Sequence, residues 1–157
     1  PKKNKMMNLN KGLSMNNIAL KHDDNCKTPP EFYEKINEEF NFDFDPCPYS
    51  EGDPIFDGLE IDWKDRNFIN PPYSRKLKDA FVKKAIEESK KGKLCVLLLP
   101  VSTSTKLFHD YILPNNPEIR FIRGRIKFQG YNTKGQWSTK NAGMHDSMLV
   151  IFRGANV

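Results

Sequence analysis

Six apolar residues in succession, Leu94-Cys95-Val96-Leu97-Leu98-Leu99, constrain this chain more than any other stretch. Neighbouring side chains of a strand point to opposite faces, so a run without a polar residue must be covered on both sides. The run has strand length and falls far short of the ~20 apolar residues that a membrane helix needs. A central strand over 93–100 follows, and the rest of the sequence supplies its covers. Segment 76–90 carries Leu77, Ala80, Phe81, Lys84 and Ala85 on one face and meets Gly92, the pattern of an amphipathic helix with a glycine stop. Thr28-Pro29-Pro30-Glu31 opens a helix over 30–39, with Phe32, Ile36 and Phe40 at helical spacing. Phe42 and Phe44 alternate with acids before Pro46, and 67–70 is a short strand stopped by two prolines. A helix over 105–113, a strand over 119–123, a long polar loop over 129–146 and a last strand over 148–152 complete the pattern. Strands alternating with helices predict an α/β fold, with a mostly parallel sheet flanked by helices and ligands beyond the carboxyl ends of its strands.

The length of 157 residues suits one domain. We read 28–157 as that domain and 1–27, rich in Lys and Asn and without sustained periodicity, as a flexible arm. The arm lacks the apolar core of a secretory signal, and three cysteines without a C-x-x-C pair indicate neither a disulfide framework nor a metal site. An intracellular protein with reduced thiols is expected, with no membrane segment and no metal. The formal charge of +5 suits a polyanionic partner.

Asn70-Pro71-Pro72-Tyr73, directly after an apolar strand, has a specific chemical use. A conjugated amino nitrogen such as the exocyclic amine of adenine is a poor nucleophile, because its lone pair is delocalised into the ring. Two acceptors, the Asn70 side chain and the Pro71 carbonyl, can hold its hydrogens and favour a tetrahedral nitrogen facing a methyl donor. The prolines present those acceptors at little ordering cost, and Tyr73 offers a face on which an extruded base can stack. A rigid strand-ending turn is the plain alternative. No glycine-rich turn follows the first strand; Asp45-Pro46-Cys47 stands in its place, with an acid suited to a cofactor's ammonium. Thr28 and Pro29, at a helix start, suit a carboxylate, although helix capping explains them nearly as well. Asp62 can accept from a cofactor's adenine and Trp63 stack on it, with Asp57 as an alternative acid for ribose hydroxyls; ordinary loop and core roles compete evenly.

In the order of these blocks the chain resembles the phage-type, Dam-like DNA adenine-N6 methyltransferases. The matching residues are Thr28-Pro29, Asp45-Pro46-Cys47, Asp57-Gly58-Leu59, Asp62-Trp63, Asn70 to Ser74, Leu98-Leu99-Pro100 with Thr103, Thr105, Phe108 and His109, Gly124 to Phe128, and Ser147 to Phe152. The resemblance implies a compact Rossmann-like fold, S-adenosylmethionine as cofactor, and DNA as substrate. It makes Asn70, Pro71, Pro72 and Tyr73 catalytic, and assigns the cofactor to Thr28, Pro29, Asp45, Pro46, Cys47, Asp57, Asp62 and Trp63. DNA contacts fall to Ser74, His109, Arg123, Arg125, Lys127 and Phe128, and to Lys134, Trp137 and Lys140 in the polar loop. Target choice would rest with that loop and the basic arm, helped by a homodimer or a recognition partner. If phage or prophage encoded, the protein would work in the cytoplasm of a bacterial host. The missing glycine turn motivates a rival, a nucleic-acid-binding subunit without turnover; a glutamine or RNA N-methyltransferase is another.

Overall fold

A computed structural model describes residues 26–132, 134–142 and 145–154, with the side chains of 140–142 outside that description. The elements run α1 (Pro30–Phe40), β1 (Arg66–Ile69), α2 (Arg75–Lys90), β2 (Leu94–Pro100), a π-helical turn (Leu107–Ile112) continued by a 3-10 turn (Leu113–Asn115), β3 (Glu118–Phe121), β4 (Lys127–Tyr131), β5 (Trp137–Ala142) and β6 (Ser147–Phe152). Strands β1, β2, β6 and β3 form one sheet in that order, and β4 and β5 form a separate hairpin. The expected arm lies outside the described residues except for Cys26 and Lys27. Lys27 is already paired with Gln129 of β4, its N–H donating over 2.7 Å and its carbonyl accepting over 3.0 Å.

As expected, β2 is covered on both faces. Cys95, Leu97 and Leu99 pack with Leu77, Phe81, Val82, Ala85 and Ile86 of α2 and with Phe108 and Ile112. Leu94, Val96 and Leu98 pack with Phe40, Phe68, Ile126 and Phe128, roofed by Phe32, Tyr33 and Ile36 of α1. Each fully buried side chain of this size contributes roughly 1.5–3 kcal/mol. Helix α2 stops where Gly92 takes φ +94°, a conformation that a side chain disfavours.

A mostly parallel sheet is not what forms. β1 pairs with β2 in parallel, but β6 pairs antiparallel with both β2 and β3. Parallel strands need a crossover of a dozen or more residues, usually a helix, and no helix stands between β3 and β6. The chain instead spends that interval in the hairpin and returns opposite the end of β2, pairing Ser147 with Pro100. The expected long loop over 129–146 is largely this hairpin. Its turn carries a recognisable signature: Asn132 Oδ1 accepts from the N–H groups of Lys134 and Gln136, both at 2.9 Å, and Gly135 takes φ +74°. Phe44 makes a single parallel bridge to Asn67 beside β1 rather than a full strand.

One feature had no sequence signal. Glu88, on the buried side of α2, is fully covered and held by Lys84 and Lys91, both at 3.2 Å, and by Lys93. Burial opposes its charge, but the three ammonium donors outweigh that and hold its pKa below the ordinary value. In the unfolded chain this carboxyl titrates near 4.3, so its contribution is complete above that pH and is lost as pH falls through the lower folded value. Glu88→Gln is expected to cost about 3 kcal/mol at pH 7 and to flatten the acid limb of the stability profile, read by thermal unfolding between pH 3 and 7.

Candidate functional site

Phe44, β1 and β2 run in one direction, so their carboxyl ends bring Asp45, Asn70 and Val101 to the same edge of the sheet. At that edge the Asn70 amide is fixed by contacts from the start of the described chain. Its Nδ2 donates to the Cys26 carbonyl at 3.1 Å and to Thr28 Oγ1 at 3.0 Å. A carbonyl can only accept, so the orientation of the amide is decided, and Oδ1 lies on the other side with no recorded donor among the described residues. Pro71 and Pro72 are buried, which stiffens the loop behind that oxygen. Tyr73 is half-buried and meets Phe128 edge-on, with ring centroids 6.0 Å apart. Burial pushes its phenol pKa upward, so it stays neutral.

Asp45 closes the neighbouring turn, its Oδ1 accepting from the Cys47 N–H at 2.8 Å. Loss of solvent raises its pKa to about 6 against that single hydrogen bond, and no ion pair to it is recorded among the described residues. The Tyr33 and Cys47 pKa values rise chiefly through burial, with a further push from the Asp45 charge. The next block is packed onto this turn: a Cβ on Gly58 would lie 1.8 Å from the Pro46 carbonyl oxygen, so only glycine fits. Asp57 beside it accepts from the Leu59 N–H at 3.0 Å. Thr28, Asp45, Pro46, Cys47, Asp57 and the 70–73 loop thus belong to one neighbourhood.

Asp62 does not, and Trp63 adjoins that neighbourhood only from the core side, beneath Gly58. Asp62 is an exposed carboxylate paired with Lys91 at 3.4 Å, at the far end of α2. Sixteen residues of helix separate that end from Ser74, roughly 24 Å. Trp63 is 3 % exposed, its indole N–H donates to Gly58 O at 2.7 Å, and its ring stacks on Phe81. In the structure Asp62 makes a surface ion pair and Trp63 is a core aromatic. A short Asp-Trp signal carries no information on which edge of the sheet it will occupy.

The hairpin lies over the same end of the molecule. Phe128 and Gly130 of β4 face inward, while Lys127 is exposed. Trp137 is 42 % exposed and meets Tyr131 and Tyr49 edge-on at 5.3 and 5.7 Å, which brings in Tyr49, a residue without a sequence motif. Cys26 was missed too, because its contribution is a backbone carbonyl. Lys134 sits exposed in the hairpin turn; Lys140 lies on β5, its side chain outside the described residues. His109 is exposed and its Nε2 lies 2.6 Å from the Thr103 carbonyl, pinning the loop after β2. Ser74 precedes α2 without a side-chain capping bond. Arg123, Arg125 and Lys127 line a groove of about 570 Å³ beside the start of α1.

Among the described residues no cluster of His, Cys, Asp and Glu can hold a metal, and no helix is long and apolar enough to cross a membrane. The sequence model of the family described as DNA N-6-adenine-methyltransferase (Dam) matches residues 16–156. No match is found among curated proteins or among solved structures.

Asp45 provides a direct test of the site's electrostatics. Its pKa is raised on folding, so its charge costs stability at and above about pH 6, and that cost fades as pH falls toward the unfolded value near 3.9. Asp45→Asn, which keeps the acceptor for Cys47, is expected to raise the melting temperature at pH 8 by at least about 3 °C, with the gain closing below pH 5.

Proposed function

We propose that this chain, which belongs to the DNA N-6-adenine-methyltransferase family, takes its methyl group from S-adenosylmethionine and delivers it across the Asn70 loop. Family membership makes it an enzyme that methylates the N6 amino group of adenine in DNA, and does not favour a subunit without turnover. The observation that carries our reading of the site is the Asn70 amide, held at Nδ2 by Cys26 and Thr28 with Oδ1 left as an acceptor. Oδ1 and the Pro71 carbonyl take the two hydrogens of the adenine amine and turn its lone pair out of the ring plane, so no strong base is needed. The departing proton passes to water. Tyr73, neutral and half-buried, supports the base together with Phe128.

S-adenosylmethionine supplies an electrophilic methyl on a cationic sulfur, beside an ammonium and a carboxylate. The residues of this edge fit it. Asp45, half-buried and without an ion-pair partner among the described residues, would meet the ammonium. Thr28 Oγ1 accepts from Asn70 and still has its own proton to donate to the carboxylate, next to the first amides of α1. One hydroxyl would thus join the donor's anchor to the catalytic amide. Asp57, packed beside the Asp45 turn through Gly58, is the acid we assign to the ribose hydroxyls in place of Asp62.

We read residues 28–157 as a Rossmann-like methyltransferase domain, because the Phe44 segment, β1 and β2 share one direction and one functional edge. Site-specific DNA contact falls to Arg123, Arg125, Lys127, Lys134, Trp137 and Lys140 on and beside the hairpin. Modified-base sequencing of DNA from cells expressing the chain tests the reading; absence of N6-methyladenine there and with purified protein rejects it.

Asn70→Ala is expected to lower methyl transfer at least about a thousandfold while cofactor affinity by calorimetry stays within about twofold. Thr28→Val should lower both transfer and cofactor affinity, and Thr28→Ser should restore both. A Thr28→Val protein that loses neither removes Thr28 from the site.

A further inference from the structure

The groove beside α1 plays no part in holding Asn70 or Asp45, yet it carries a surplus of positive charge. One wall is the start of α1, Pro29 to Phe32; the other is formed by Ile122, Arg123, Arg125, Ile126 and Lys127, with Gln129 and Thr139 at the hairpin end. We propose that this groove holds a nucleotide flanking the target adenine on the same DNA strand, and that Gln129 and Thr139 read its base. The proposal rests on the reading of Asn70 as the methylation site.

Charge is the first argument. Three cations face one acid, Glu31. Arg123 and Lys127 have no recorded ion pair among the described residues, and Arg125 has only Asp146 at 3.6 Å, a contact between exposed groups that contributes little. The neighbouring arginines on β3 and beyond β6 are spent differently: Arg120 is held by Glu39 and Glu118, and Arg153 by Glu118. Three cations without a strong ion-pair partner among the described residues thus line one groove.

Shape and chemistry narrow the occupant. The floor is apolar, made of Pro29, Phe32, Ile122 and Ile126, and a volume of about 570 Å³ lies within the ordinary range for small-molecule sites. An inorganic anion has no use for such a floor, whereas a nucleotide sets its phosphate on the cationic rim and its base against apolar side chains. A Gln side chain can pair with an adenine edge through both its donor and its acceptor, and a Thr hydroxyl suits either kind of partner.

Position ties the groove to the reaction. Successive residues of one segment face the two places: Thr28 bonds to Asn70, while Pro29 and Pro30 line the groove. β4 repeats the division, with Phe128 against Tyr73 and with Lys127 and Gln129 toward the groove. The two places therefore adjoin on either side of the same short segment, and a DNA strand rising about 3.4 Å per nucleotide reaches from one to the other within a few nucleotides.

The test compares Arg123→Ala/Arg125→Ala/Lys127→Ala, Gln129→Ala and the distant control Lys90→Ala with the unmodified chain. The expected result for the triple variant is at least a tenfold rise in DNA Kd near 0.1 M salt, and a log Kd against log salt slope reduced by about 2–3, at about 0.9 per phosphate contact. Its S-adenosylmethionine affinity should not change. Gln129→Ala keeps the backbone pairing with Lys27 and should relax preference about tenfold at one flanking position, read by modified-base sequencing. Unaltered DNA affinity and salt slope in the triple variant overturn the proposal, as does a fall in cofactor affinity, which would make the groove part of the cofactor pocket. Unaltered context in Gln129→Ala overturns the reading role. If the unmodified chain leaves no N6-methyladenine, the proposed function fails, and the DNA-affinity measurements still decide the groove separately.

Discussion

Everything at the functional edge depends on β2 having both faces covered. A strand dry on both sides fixes two layers at once: α2 with the π-helical turn on one face, and α1 with the inner side of the hairpin on the other. β1 then has its place beside β2 in parallel register, Asn67 opposite Cys95 and Ile69 opposite Leu97. The register determines where the prolines after β1 leave the sheet, and so where Asn70 emerges. The loop proposed as catalytic inherits its position from the least polar part of the chain.

The same edge shows how a site can be held at some cost to the fold. Asp45 is kept in a half-buried turn with one hydrogen bond, and desolvation raises its pKa to about 6. The buried carboxylate of Glu88, by contrast, is met by three lysines. Asp45 differs in having no cation beside it among the described residues, which is what the proposed ammonium contact draws on.

Much of this was legible in the sequence because it is carried by local rules. The double-faced strand, the Gly92 stop of α2, the Pro30 start of α1 and the loop after β1 are each written in a few consecutive residues. What could not be read depends on contacts between distant segments. The reversal of β6 follows from where the hairpin leaves the chain, and the strand pattern at 148–152 is the same for either direction. Asp62 and Trp63 are consecutive in sequence but part in space, Asp62 to Lys91 at the surface and Trp63 into the core against Phe81 and Gly58. The Cys26 carbonyl is a backbone group, which no side-chain motif announces. The hairpin was readable in principle from Asn132 and Gly135, but its polar strands hid it among loop residues.

The bond between the Asn70 amide and the Cys26–Thr28 segment spans more than forty residues, and the Lys27 pairing with Gln129 joins nearly the two ends of the described chain. Contacts so far apart in sequence form late, because a long loop must close before they repay its entropy. A chain emerging from the ribosome can form α1, β1, α2 and β2 while the segment that steadies Asn70 still lacks the β4 strand it pairs with. Settling of the Asn70 amide thus waits for β4: a chain that has not yet made that strand holds the Asn70 loop without the pairing that steadies the segment it bonds to.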